Sequence, residues 1–428
     1  MRTRFINIFP DTIFKSGVFW NLFSFFIMGV SGLLLNVFIA RYYEPWVLGI
    51  FNNVFAIYII SAQVGSLGVH QSVLRHISVH SKDRSQSSQI IISALMLTIA
   101  SSLCVTVLIY LLRVPLSYVF NDIRIRTALE YVLIGLFLFP INKVLLCALN
   151  GFRMMRFYAI VQSLRYVFIL SSLIFMVKLE QPGEHLAVVF TITEAMVFLL
   201  LLPAIAKHIT FKSIRDLQPW MSRHTAFGFR GMGGGILNEL NTRIDVLSLS
   251  IFMDMESVGI YSLVAIIVEG ISQILIVFRI NYDPIIAKYI HSQAWEELRM
   301  MIKRGKRAII PVMLTISIIA VLFYPIIIKI LTNNDKFYQG QLIFIILLFG
   351  VVFSSGSTPF GGILQQGGCP GTQTILTVCV VLINLVGNFI LIPQYGLIGA
   401  ASATTASQMA FVYIIKYLTN RRIQKGLL

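Results

Sequence analysis

Eight ionisable side chains stand inside long apolar stretches of this sequence: Lys143, Arg165, Glu194, Glu239, Arg243, Asp245, Glu269 and Arg279. In hydrocarbon each would cost about 2.5–3.5 kcal/mol at the centre of a helix, so such residues usually face a partner or a polar cavity. Guanidinium and ammonium groups hold anions, phosphates above all. Carboxylates in the same setting hold a proton or a small cation. The set reads as binding and ion exchange rather than bond-making. At 1.5 Å per residue, Arg243, Asp245, Glu269 and Glu194 fall near the middle of their stretches, and Lys143 and Arg165 roughly 10 Å from one end.

One stretch carries more information than the others. At about 100° per residue, Asn238, Asn241, Thr242, Asp245 and Ser248 lie within about 120° of one another and form one polar face. Glu239 and Arg243 sit one turn apart on another side, a spacing that suits an ion pair. Arg243 and Asp245 are about 160° apart around the axis and cannot both point straight into one cavity. The Asn/Asp face is expected to line it, with Arg243 paired; the reverse assignment makes Arg243 the anion contact. Lys143 and Arg165 are expected to form an anion site near the cytoplasmic end, with snorkelling to the interface as the alternative. Glu194 and Glu269 are expected to be buried ion-coupling carboxylates, with a fixed pair to a buried cation as the alternative. Arg279 reads as an interfacial anchor.

The elements that must position these groups are membrane helices. Of the 428 residues, 57% are hydrophobic and 12% charged, against roughly 25% charged in a soluble domain. Runs long enough to cross about 30 Å of hydrocarbon fall at 17–40, 45–69, 90–112, 128–149, 157–177, 186–206, 231–253, 258–278, 308–331, 341–363, 373–392 and 396–417. The expected fold is an all-α membrane protein with twelve transmembrane helices. The first run lacks a small-residue cleavage site and is expected to be retained. Lys and Arg concentrate on one side of this topology, at Arg2 and Arg4, Arg75 to Arg84, Arg153 and Arg156, Lys207 to Arg230, Lys288 to Arg307, and Lys416 to Lys425. That side is therefore expected to be cytoplasmic, with both termini inside an inner, cytoplasmic membrane. The net charge of +16 follows from the same bias. Scattered over six segments with no aromatic platform, it does not indicate nucleic acid.

Internal similarity divides the twelve spans. Trp46-Val47-Leu48-Gly49-Ile50-Phe51 matches Glu256-Ser257-Val258-Gly259-Ile260-Tyr261, 210 residues on. Gly183-Glu184-His185-Leu186-Ala187 answers Gly396-Leu397-Ile398-Gly399-Ala400 before the last span of each half. Two lobes, 1–206 and 231–428, are expected, related by a pseudo-two-fold axis along the membrane normal and joined by a cytoplasmic linker at 207–230.

At this point the chain resembles a known family. Ala40-Arg41-Tyr42-Tyr43-Glu44-Pro45 with Leu48-Gly49-Ile50-Phe51, Gly65-Ser66-Leu67-Gly68 before Arg75, Arg243-Ile244-Asp245, and Asn384 with Leu391-Ile392-Pro393-Gln394-Tyr395-Gly396 carry the likeness. They resemble the Wzx-type polysaccharide-biosynthesis flippases of the multidrug/oligosaccharidyl-lipid/polysaccharide exporter superfamily. The resemblance implies two six-helix lobes around a cavity. It also implies transfer of a polyprenyl-pyrophosphate-linked oligosaccharide from the inner to the outer leaflet by alternating access, for O-antigen or capsule-like surface polysaccharide. A coupling proton or sodium ion, membrane lipids and the polysaccharide polymerase machinery are the partners it suggests, and no cofactor. Arg41, in the family-like turn, joins Lys143, Arg165, Asn238, Asn241, Arg243 and Asp245 as a substrate-contact candidate, a turn arginine at the outer interface being the alternative. An ion-coupled multidrug or cation antiporter of the same superfamily is the competing function, and would need an acidic, aromatic cavity. An enzyme is not expected, because a membrane-embedded transferase usually carries a sizeable outside loop with catalytic acids.

Other signals are weaker. Gly231, Gly233, Gly234 and Gly235 lack the Lys-Ser/Thr of a phosphate-binding loop and are expected to serve close packing or a hinge. His76 and His80, at i and i+4, are expected in a hydrated loop rather than on a metal. The four cysteines have no ligand spacing. The basic amphipathic segment 295–307 is expected to lie on the anionic inner leaflet.

Overall fold

The computed structural model describes residues 12–210, 217–332 and 334–424. Arg2, Arg4, Lys212, Arg215 and Lys425 lie outside the described residues. Everything described is helix or short connection, as expected for a chain that must satisfy its backbone internally within lipid. The helices are α1 (Thr12–Tyr42), α2 (Pro45–Gly65), α3 (Val69–His80), α4 (Arg84–Val119), α5 (Arg124–Gly151), α6 (Met155–Lys178), α7 (Val188–Ala206), α8 (Gln218–Phe252), α9 (Met255–His291), α10 (Trp295–Thr332), α11 (Gln341–Ser354), α12 (Ile363–Gln366) and α13 (Pro370–Gln424). Among the described residues nine helical segments are long and apolar enough to cross a membrane.

α13 is two helices. Gly396, at φ 56° and ψ −128°, breaks it in a backbone region closed to most side chains, so the chain reverses between the eleventh and twelfth expected spans. α3 is an additional short helix where a hydrated loop was expected. It turns Val73 and Ile77 into a core with Val144, Leu145 and Trp220.

The described residues pack as two compact units. Unit 1 holds those through 35, with 57–118 and 123–236; unit 2 holds 36–56, 119–122 and 237 onward. Both α2 and α8 therefore contribute residues to each unit. Of the segment 207–230 expected as a linker, 211–216 lie outside the described residues, and from Gln218 the chain is already α8.

In unit 2 the repeat motif meets itself. A Cβ built on Gly49 would fall on the Met255 carbonyl oxygen, and one on Gly259 would fall on that of Pro45. The first turns of α2 and α9 thus cross backbone to backbone, which only small residues permit. Asp254 caps α9 by accepting from the Ser257 amide at 2.8 Å.

Candidate functional site

α8 aims Asp245 into unit 2, where four donors converge on its carboxylate. Asn384 and Asn388 each donate from Nδ2 to Oδ1, at 2.9 and 2.8 Å. Thr404 Oγ1 and the Tyr261 hydroxyl donate to Oδ2, at 2.7 and 3.1 Å. The two asparagines stand one turn apart on the first helix of α13, and Thr404 lies on the second. The reversal at Gly396 is what lets both helices face the same carboxylate. Asn388 is fully buried and Tyr261 and Asn384 nearly so, while Asp245 and Thr404 are half-buried. One acceptor on each asparagine, Oδ1, is buried with no partner. Rotating either amide by a half turn would bring that oxygen to the carboxylate.

Arg243, two residues earlier, is placed differently. Its guanidinium lies over the Phe55 ring at 4.8 Å, and its Nε is buried without a partner. The expected ion pair with Glu239 is absent among the described residues; stacking on Phe55 has taken its place. Asn238, Asn241 and Thr242 are exposed along α8, while Asp245 on the same face is committed to its own network. Glu269, expected to be buried, is exposed on α9. Arg279 lies 3.8 Å from Asp283, one turn on.

Unit 1 is built around an ion pair. Arg165 on α6 and Glu194 on α7 meet in a forked arrangement, Nε to Oε1 at 3.0 Å and Nη2 to Oε2 at 3.1 Å. Asn142 on α5 donates to both the carboxylate and the backbone oxygen of Glu194, at 2.8 and 2.9 Å. The Phe139 ring lies 4.9 Å from the guanidinium. One residue along from Asn142, Lys143 donates instead to Gln63 on α2 at 2.5 Å. Lys143 and Arg165, expected to share an anion site, therefore serve two separate networks, because neighbouring positions on α5 point to different helices. Glu194 takes the paired arrangement that was its alternative. Among the described residues no group of three His, Cys, Asp or Glu side chains is placed to hold a metal.

A family model described as "Polysaccharide biosynthesis protein" matches residues 14–290. The chain belongs to that family. A second model, MatE, matches residues 235–390, and together they place the chain in the multidrug/oligosaccharidyl-lipid/polysaccharide exporter superfamily, as its motifs implied. It is 23% identical to an uncharacterised membrane protein of Methanocaldococcus jannaschii over 427 residues, covering 94% of this chain and 82% of the relative. Its fold is similar to the lipid II flippase MurJ in an inward closed conformation, with a TM-score of 0.76 at 15% identity, covering 94% of this chain and 87% of that one. A multidrug resistance MATE transporter in an inward-facing conformation gives 0.70 at 17% identity, covering 93% and 94%. The fold is thus the all-α one of membrane transporters.

Sequence reasoning about this family member missed Asn388, Thr404 and Tyr261. A signal existed: Asn384 and Asn388 are two amides one turn apart in an otherwise apolar span, and each is costly there unless partnered. It also missed a polar cluster outside the spans. His224, near the start of α8, is fully buried. Its Nδ1 lies 2.9 Å from the Ser72 hydroxyl of α3, and its Nε2 lies 3.1 Å from the Ile90 carbonyl of α4. His76 and His80 face Trp220 rather than solvent or a metal, at 5.3 and 5.6 Å between ring centres.

Burial pushes His224 down to about 4 from 6.5, with His76 adding to the effect. Between those pH values the unfolded chain takes up a proton that the folded site refuses. Stability is therefore expected to fall as pH drops from 6.5 to 4 and to level off below, by about 3 kcal/mol at most. His70, pushed down to about 3 mainly by burial, acts in the same direction. His224→Gln, which retains one donor and one acceptor, should remove part of the acid sensitivity. Thermal melting at pH 7.5 and 4.5 checks this, and an unchanged difference between the two pH values in the variant would refute it.

Proposed function

We propose that the protein carries a polyprenyl-pyrophosphate-linked oligosaccharide from the inner to the outer leaflet of the cytoplasmic membrane by alternating access, with both termini cytoplasmic, supplying surface polysaccharide assembly. The observation that carries this reading is Arg243, a guanidinium on α8 near the middle of the expected span 231–253, stacked on Phe55, with Nε buried and unpartnered. Such a group is a ready contact for a phosphate anion. A glycan and a pyrophosphate cannot cross hydrocarbon unaided, because each unsatisfied polar group costs several kcal/mol. Asn238, Asn241 and Thr242, exposed on the same helix, offer hydrogen bonds to sugar hydroxyls. We assign the coupling ion, a proton or sodium, to the Asp245 network, since Glu194 is held by Arg165 and Glu269 is exposed.

A second reading, an ion-coupled antiporter of organic cations, is favoured by one observation: Glu269 is exposed on α9 while Glu239 forms no ion pair with Arg243. Deleting the gene separates the two. The flippase reading expects lipid-linked oligosaccharide to accumulate on the cytoplasmic leaflet and surface polysaccharide to fall. Normal surface polysaccharide with new drug sensitivity would overturn it. Returning the gene with Arg243→Ala should restore surface polysaccharide about 10- to 100-fold less well at equal protein level, the range of one charge-assisted hydrogen bond.

A further inference from the structure

The end of unit 2 where α1 turns into α2 holds an open surface cleft of about 640 Å³ that neither the Arg243 contact nor the Asp245 network uses. Its wall combines aromatic rings, Tyr42 and Trp46, with four charges, Arg41, Glu44, Asp335 and Lys336. Two of those charges are held by neighbours. Lys336 Nζ bridges Glu44 at 3.0 Å and Glu256 of α9 at 3.2 Å. Arg41 Nη1 donates to the Ile330 carbonyl at the end of α10, at 3.1 Å. Asn334 accepts from the Lys336 amide at 3.1 Å and shapes the short turn that carries the lysine.

We propose that this cleft binds an uncharged saccharide, as a second contact for the glycan portion of the cargo. The proposal rests on the flippase reading and extends it to a site apart from the phosphate contact. Two cations and two carboxylates on the wall cancel, so the cleft has no net attraction for phosphate. Both cations are also already hydrogen-bonded. What the wall offers is aromatic side chains beside carboxylate and guanidinium groups. A pyranose matches that combination: its C–H face lies on an aromatic ring, and its adjacent hydroxyls pair with two-pronged acceptors and donors. Because Lys336 and Glu44 already hold each other, less ordering of those two side chains is needed on binding. Tyrosines and tryptophan also gather at membrane interfaces as anchors, but anchoring requires neither a cleft nor a bridged Glu44–Lys336–Glu256 triad.

The test uses the full chain in lipid nanodiscs and saturation-transfer NMR. One probe is phosphate-free oligosaccharide cleaved from the host's surface polysaccharide; the other is inorganic pyrophosphate. Saccharide signals are expected from the unmodified protein, weakened at least 10-fold by Tyr42→Ala and Trp46→Ala, retained in Trp46→Phe, and not displaced by pyrophosphate. Tyr42 is 57% exposed, so its truncation leaves the fold intact. An absent saccharide signal, undiminished binding in Tyr42→Ala, or displacement by pyrophosphate would overturn the proposal. Failure of the flippase reading shows separately, in the leaflet on which lipid-linked oligosaccharide collects after gene deletion.

Discussion

Arg165→Ala is expected to lower the stability of unit 1 by about 3–5 kcal/mol, the cost of leaving one member of a buried ion pair uncompensated. The Arg165 side chain is 9% exposed and that of Glu194 3%, so water cannot take over the lost contact. Asn142 would remain as donor to Glu194, but one amide hydrogen does not neutralise a buried carboxylate. Glu194→Gln should cost a comparable amount, because the amide keeps an oxygen for Asn142 but leaves the buried Arg165 guanidinium without a counter-charge. The informative variant is the double replacement Arg165→Met with Glu194→Leu. Replacing both charges by apolar groups of similar volume is often neutral, so much of the loss should return. Thermal melting of purified protein measures the stability, and restoration of surface polysaccharide in a deletion strain measures transport. A double variant that is stable but inactive would give the pair a direct part in transport. A single variant that melts with the unmodified protein would contradict the buried pair itself.

Asp245→Asn is expected to give the largest loss of transport. The carboxylate accepts from four donors supplied by Asn384, Asn388, Thr404 and Tyr261. An asparagine amide keeps one oxygen and turns its NH2 against donors, leaving buried donors unsatisfied at about 1–3 kcal/mol each. The variant also removes the negative charge that a coupling cation or proton would meet. Transport is expected to fall at least 10-fold at equal protein level, with any sodium dependence lost. Asn388→Ala and Thr404→Val should each give a smaller reduction, since three donors then remain. Surface polysaccharide measured in the complemented deletion strain, across a sodium titration, is the assay. Full restoration by Asp245→Asn would remove this network from the mechanism.

Arg165 and Asp245 also show where sequence reasoning stops. Both were visible as charges that a membrane makes expensive, and the expense is a property of composition and length alone. Partners were not visible. Asp245 has its closest donors 16, 139, 143 and 159 residues away in sequence, and no local periodicity reports contacts at such separations. Lys143 illustrates the same limit. It stands beside Asn142, yet at about 100° per residue the two side chains reach different helices and different chemistry.

By itself, the sequence determined that this is an all-α membrane protein, because apolar runs of spanning length are written locally, and the superfamily was legible as a resemblance in short motifs such as Arg41 to Pro45 and Leu391 to Gly396. It also determined which polar residues would have to be explained. The tertiary structure alone decided how they were paired: Arg165 with Glu194, Asp245 with the two asparagines, Arg243 with an aromatic ring, and His224 with Ser72 and Ile90. The reason is geometric. Which face of a membrane helix meets which neighbour is set by packing among many helices at once, and in lipid no hydrophobic pattern distinguishes a face turned to another helix from one turned to the bilayer.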